Sequence, residues 1–320
     1  MSVARSSPIC LILAPPRSFA SCICAALGQH PALHGFPELN LFLAETVREL
    51  IGLDVAEARR TGVLLTHLSG LVRAVAHLHA TEFSPDQRFS EARAWIEARS
   101  HWTTGRMLDH LLERVAPALA VDKSPRTVTA PGALERALSS RPAARVIHLV
   151  RDPVASTVSL LSAARSPDLT AIPDAAFGPQ AFGLHAWLYA HRGIVAATQS
   201  LGADRLLLLR AEEVLLEPRL AFAEIARWLG VSRQPAALDA MLHPEHSPYA
   251  NTALDPPGGD NDIGFLRSPK LRTMAAMADL AIPPEWRVSA NLAADVLGLA
   301  RDLGYRVVGD PVGDAPTRKS

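Results

Sequence analysis

The sequence predicts an α/β fold, a central parallel sheet flanked by helices. Three observations carry that expectation. Short, mainly apolar runs at Ile9 to Leu13, Arg145 to Val150 and Leu206 to Leu209 read as buried strands, and strands covered on both faces lose the usual polar alternation. Between them lie longer stretches with apolar residues at helical spacing, the alternation that builds a parallel sheet with helices on both sides. No internal repeat and no clear linker interrupts the 320 residues. We therefore expect one domain over residues 1–308 and a flexible polar tail over 309–320, where Pro and Gly concentrate.

Taken in order, Ile9 to Leu13 is ended by Pro15-Pro16, and Phe19, Cys22, Ile23, Ala26 and Leu27 then recur at helical spacing. Strand, tight loop and helix follow one another directly. A second helix is expected to start near Asn40, a good cap residue, with Leu43, Val47, Leu50 and Ile51 on one stripe. Residues 54–79 and 91–116 read as further helices, Ala118 to Val121 as a strand, and 131–140 as a helix. The run Arg145 to Val150 passes straight into Arg151-Asp152-Pro153, with Asp152 as N-cap and Pro153 at the first helical position. A Pro-rich loop at 165–180, a candidate lid, precedes a helix over 183–200. After Leu206 to Leu209 comes a helix carrying Phe222, Ile225 and Leu229, then a loop from Pro244 to Pro269 rich in Pro, Gly, Asn and Asp.

Composition excludes several classes. Lys plus Arg equals Asp plus Glu at 32 each, so a general nucleic-acid binder, which needs a basic field, is not expected. The balance hides a bias of three lysines against 29 arginines. The three cysteines (Cys10, Cys22, Cys24) form neither a disulfide framework nor a zinc spacing, and no HExxH occurs. A reducing, cytoplasmic location is the expectation. No run approaches the ~18 apolar residues of a membrane span, and the Ile9–Ala14 run is too short for a signal peptide.

Two places carry chemistry. Pro16 to Ser21 lies between a strand and a helix N-terminus, where free backbone N–H groups and the helix dipole attract anions; Arg17 and Ser18 add a cation and a hydroxyl. A bare turn with a surface arginine reads the same residues equally well. The pattern GxxxxGK[ST] is absent, which disfavours a P-loop NTPase. The second place is Arg151, at the carboxyl end of its strand, where open α/β sheets bind ligands, with Ser159 eight residues on. Taken alone, an Arg151–Asp152 pair and a surface serine are the better explanation of that segment.

Together these segments resemble the sulfotransferase superfamily, whose members use 3′-phosphoadenosine-5′-phosphosulfate (PAPS). Pro16, Arg17 and Ser18 match the family's 5′-phosphosulfate loop, with Phe19, Ala20 and Ser21 replacing its Gly-Thr-Thr. His30-Pro31 followed by Glu38 matches its next feature, Asp122-Lys123-Ser124-Pro125 resembles the lysine segment of bacterial and tyrosylprotein members, and Arg151, Pro153 and Ser159 match the 3′-phosphate segment. Leu208 to Pro218 resembles a later Arg-Tyr-Glu-Asp segment, with Ala211 in place of the tyrosine.

The resemblance implies a P-loop-like sulfotransferase fold and transfer of a sulfuryl group from PAPS to a hydroxyl, less readily an amine, of a small-molecule acceptor, with 3′,5′-phosphoadenosine (PAP) as product and no metal. It implies that Arg17 and the N–H groups of Ser18, Phe19, Ala20 and Ser21 hold the 5′ end and leaving oxygen. Arg151 and Ser159 hold the 3′-phosphate. Lys123 neutralises charge on the transferring group, a solvated loop lysine being the plain alternative. Glu38 is the expected general base, ahead of His34; apolar Phe36, Pro37 and Leu39 would raise its pKa, and capping the helix near Asn40 is its other reading. Arg267, with Gly258 to Asp260 and Lys270, stands in for a missing C-terminal binding loop. Trp95 and Trp102 are candidates to stack on adenine. A kinase of related fold, or an inactive PAP-binding relic suggested by Phe19, Ala20 and Ala211, remain the competing readings. Neither a nucleic acid nor a membrane is an expected partner.

Overall fold

The structure, a computed structural model, describes residues 9–61, 67–164, 178–250, 263–274 and 277–310. Strands β1 (Ile9–Leu13), β2 (Leu33–Gly35), β3 (Leu119–Asp122), β4 (Arg145–Val150) and β5 (Leu206–Arg210) form an all-parallel sheet in the order β2-β3-β1-β4-β5. β1 is central and its neighbours come from later in the chain on both sides. The loop after β1 therefore opens at the point where the winding reverses, the crevice in which open α/β sheets hold ligands.

Both faces of the sheet are covered. Ile9, Leu11 and Leu13 of β1 point to one core, together with Ala120 and Val146; Cys10 and Ile12 point to the other, together with Val121, Ile147 and Leu149. The first core is closed mainly by α2 (Val47–Thr61), α3 (Ser69–Leu78), α4 (Arg88–Glu97), α5 (Thr104–Val115) and α7 (Ala133–Ser140), the short α6 (Arg126–Thr129) following β3. The second is closed by α1 (Ala20–Leu27), α11 (Pro218–Leu229) and α12 (Pro235–Ala240), and α10 (Ala211–Leu216) adds Ala211 and Val214. Helices α8 (Pro153–Ala164) and α9 (Pro179–Thr198) pack together, and α9 with α14 (Ala290–Asp302) builds a third cluster around Trp187 and Val296. A short α13 (Ile263–Arg267) covers the end of α1 through Phe265 and Leu266. No described helix is long and apolar enough to cross a membrane.

One contact sets the height of α1 above the sheet. Gly28 and Gly35 meet back to back: a Cβ at Gly28 would stand 2.7 Å from the Gly35 nitrogen, and one at Gly35 would stand 2.3 Å from the carbonyl oxygen of Cys24. Only glycine permits this approach.

Two expectations change, and others fall outside the described residues. No helix begins at Asn40: its φ is 55°, residues Leu41–Leu43 form one 3₁₀ turn, and α2 starts at Val47. Asn40 is wholly buried and its side-chain amide donates to the His67 carbonyl (3.2 Å), so it is occupied by tertiary contacts and not by capping. β2 was not expected; three residues are too few to show a period. Most of the candidate lid (165–177), the centre of the later loop (251–262) and residues 311–320 lie outside the described residues, while Pro179 already belongs to α9. Asp310, at the start of the expected tail, accepts from Arg301 Nε (2.8 Å) and the Val307 N–H (2.9 Å).

Candidate active site

The loop between β1 and α1 holds two non-glycine residues in the left-handed region, Arg17 (φ 72°) and Phe19 (φ 62°). Such residues cost roughly 1–3 kcal/mol each and persist where the surroundings impose them. The left-handed turn that glycine would make freely at 19 is thus kept by phenylalanine, and loops of this kind gather successive N–H groups into an anion-binding concavity. Ser18 is buried and its Oγ has no hydrogen-bond partner among the described residues.

The structure brings the two sequence-predicted places together. Arg17 Nε donates to Ser159 Oγ (3.0 Å), and Arg151 Nη1 donates to the backbone oxygen of Arg17 (2.7 Å). The Arg151 guanidinium lies 4.2 Å from the centre of the Phe19 ring, a cation–π contact, and its buried Nε has no partner among the described residues. Burial lowers the Arg151 pKa, Glu212 and other neighbours modulating it. The strand end is itself fixed. Trp187 Nε1 donates to the Arg151 carbonyl (2.8 Å), and the Asp152 N–H donates to buried Glu212 (2.9 Å), whose other oxygen accepts from Tyr305 (3.0 Å). Asp152 caps α8 as expected, accepting the Ala155 N–H (2.7 Å).

A cavity opens against this loop, lined by Arg17, Phe19, Cys22, Arg151 and Ser159 together with Phe265, Ser268, Lys270 and Arg272. Four of these nine residues are basic, in a chain of zero net charge. Arg267 is exposed and outside this lining, whereas Lys270 and Arg272 are in it. Arg272 escaped the sequence reading; the signal was three cations within six residues after a Gly- and Pro-rich loop. Ala211 is fully buried in the core and does not face the cavity. Trp95 and Trp102 pack instead with His79, His110 and Arg99 in a separate aromatic cluster.

A second cavity lies beside the first and shares Phe265 with it; Ser21, Ala25, Gly35, Phe36, Pro37, Lys123, Ser247, Tyr249 and Leu266 complete its lining. Here Lys123 Nζ donates to Glu38 Oε1 at 2.5 Å, both residues being buried. Glu38 therefore does not cap a helix and Lys123 is not solvated. Ser124 Oγ donates to Asp122 Oδ1 (3.2 Å), and burial raises the Asp122 pKa to about 7. His34 Nε2 lies 3.1 Å from the Tyr249 hydroxyl, with the His34 ring edge-on to Phe36. Burial, and secondarily His77, lowers the His34 pKa to about 4, so its imidazole is neutral at ordinary pH. Among the described residues, no three His, Cys, Asp or Glu side chains converge as a metal set.

A model of the sulfotransferase family matches residues 8–235. No curated protein matches the sequence. Among solved structures, the chain is similar to the sulfotransferase domain from the olefin synthase of Synechococcus PCC 7002, at 26% identity and a TM-score of 0.68 over 94% of this chain and 95% of that one. It is also similar to the sulfotransferase domain from the curacin biosynthetic pathway (20% identity, TM-score 0.71, 94% and 98% covered) and to a sulfotransferase from Mycobacterium avium (15%, 0.52, 93% and 76%). The last two likenesses show the fold alone, the P-loop-like sulfotransferase arrangement of a parallel five-stranded sheet between helices.

Proposed function

The chain belongs to the sulfotransferase family, and from that premise we propose that it moves the sulfuryl group of PAPS to a hydroxyl of a small, largely apolar acceptor, releasing PAP. The observation that carries this reading is the adjacency of the two cavities. One is ringed by Arg17, Arg151, Lys270 and Arg272; the other is lined by Lys123, which bonds the buried Glu38 carboxylate; Phe265 lines both.

The residues present fit a nucleotide with phosphates at two positions. The Ser18 hydroxyl and Arg151 Nε are buried polar groups without partners among the described residues, and such groups are costly unless a ligand meets them. Arginine suits bidentate phosphate contacts, and lysine acts as a compact point charge. PAPS supplies an activated sulfuryl group. Arg17 and the loop N–H groups hold the 5′ end and stabilise charge growing on the leaving oxygen, and Arg151 with Ser159 holds the 3′-phosphate. Lys123 neutralises the transferring group. Glu38 takes the acceptor's proton as the new O–S bond forms and the S–O bond to the 5′-phosphate breaks. In the absence of ligand Lys123 and Glu38 neutralise each other. A donor anion competes for the ammonium and frees the carboxylate for the acceptor. The lining of the second cavity by Ala25, Phe36, Pro37, Phe265 and Leu266 favours an acceptor whose hydroxyl sits on an apolar body.

Calorimetry with PAP and ATP, followed by mass spectrometry of PAPS reactions with apolar alcohols, tests this. We expect tighter binding of PAP than ATP and a sulfated product. Tighter ATP binding with phosphoryl transfer makes the protein a kinase of related fold. PAP binding with no turnover across the alcohols makes it a binding relic. Either result overturns the proposal.

A further inference from the structure

Two residues that follow β3, Lys123 and Ser124, hold two residues of one segment, Glu38 and Asn40. Lys123 Nζ donates to the Glu38 carboxylate at 2.5 Å. Ser124 Oγ accepts the backbone N–H of Asn40 at 3.0 Å, and its own hydrogen goes to Asp122 at 3.2 Å. Exposure is 4%, 2% and 3% for Asp122, Lys123 and Ser124, and 7%, 1% and 0% for Glu38, Leu39 and Asn40, so water does not replace these bonds at low cost.

The opposite side of the segment is closed as well. A Cβ on Gly70, in α3, would stand 1.9 Å from the Glu38 carbonyl oxygen. The helix backbone itself is therefore the wall against which Glu38 rests. Pro37, with no N–H, precedes Glu38, and Asn40 is held in the left-handed region by its bond to His67.

We propose that Asp122 and Ser124 are positioning residues for the Glu38–Lys123 pair: Asp122 orients the Ser124 hydroxyl and Ser124 fixes the backbone that follows Glu38, so that its carboxylate stays against the Lys123 ammonium, which lines the second cavity. They touch neither donor nor acceptor. The inference rests on the functional reading above for its kinetic consequence, but not for its geometry. Displacement of a reacting group by about 1 Å costs on the order of 10²-fold in rate.

The test compares Ser124→Ala with Ser124→Thr in the full chain, with Asp122→Asn as a milder third variant because its amide oxygen still accepts the Ser124 hydroxyl. We expect Ser124→Ala to lower kcat by roughly 10- to 100-fold while leaving KM for PAPS and the Kd of PAP unchanged, and Ser124→Thr, which keeps the hydroxyl, to restore most of the rate. A crystal structure of Ser124→Ala is expected to show Glu38 displaced from Lys123. Wild-type kcat in Ser124→Ala overturns the proposal, as does equal loss of kcat and PAP affinity in Ser124→Ala and Ser124→Thr alike. Should the wild type itself not turn over, the functional reading fails and the crystal structure alone decides: an undisplaced Glu38 in Ser124→Ala overturns the positioning role.

Discussion

The two halves of the cleft are built on opposite plans. The phosphate loop, Arg17 to Ser21, is partly exposed, carries two left-handed non-glycine residues and leaves the Ser18 hydroxyl unpartnered among the described residues. The β3 end with its partner segment is buried, and the polar groups there tie 38–40 to 122–124. A loop that must admit a hydrated anion keeps its donors available and tolerates strain. A site that must hold a base and a cation in fixed relation is tied from several sides. The difference separates affinity from rate, and substitutions should divide along the same line.

Glu38→Gln should break the chemical half most severely, lowering kcat by about 10²- to 10⁴-fold with PAP binding preserved in calorimetry; full activity in this variant removes Glu38 as the base. On the other side, Arg151→Ala removes a charge-assisted contact of about 1.5–3 kcal/mol, so the Kd of PAP should rise by roughly 10- to 100-fold. Arg272→Ala, at a more exposed position of the same lining, should raise it by a few-fold only.

Acidity sharpens the comparison further. Burial holds His34 near a pKa of about 4, below its usual 6.5, so the unfolded chain binds the extra proton first. Stability from this group is complete above about pH 6.5 and is lost as pH falls towards about 4. His34→Gln should flatten that part of the urea-unfolding stability profile and leave the kcat/KM profile between pH 5 and 8 in place. A limb that moves within that range assigns the proton transfer to His34. The smallest effect expected is that of Phe19→Gly. Relief of the left-handed backbone is worth about 1 kcal/mol, offset by loss of the ring under Arg151, so unfolding midpoints should change little while PAP binding weakens by a few-fold.

The central elements were legible because their physics is local. β1 and β4 end where Pro15-Pro16 and Asp152-Pro153 end them, and their runs are apolar throughout or nearly so because both faces are covered. Arg17, Arg151, Ser159, Lys123 and Glu38 could be named because each sits beside such an ending or in a motif of the resemblance. What the sequence did not display is contact made by the backbone. β2 exists because β3 offers it a ladder. Asn40, a cap residue by type, is claimed by His67 and Ser124 instead. The bond from Asn40 to Ser124, 84 positions away, leaves no periodicity, and neither does the wall made by Gly70. Arg272 and Phe265 reach the cavity only through the path of a loop whose composition says nothing of its course.

The Gly28–Gly35 contact has a consequence for anyone who diversifies this protein by random mutagenesis. Neither residue faces a cavity in the phosphate half, yet α1 rests on the sheet through them and begins where the phosphate loop ends. An alanine at either position lifts the helix and, with it, the loop at its other end. Variant libraries aimed at new acceptors should therefore hold positions 28 and 35 constant and spend their diversity at Ala25, Ser247 and Leu266, which line the second cavity and bear no part of that support.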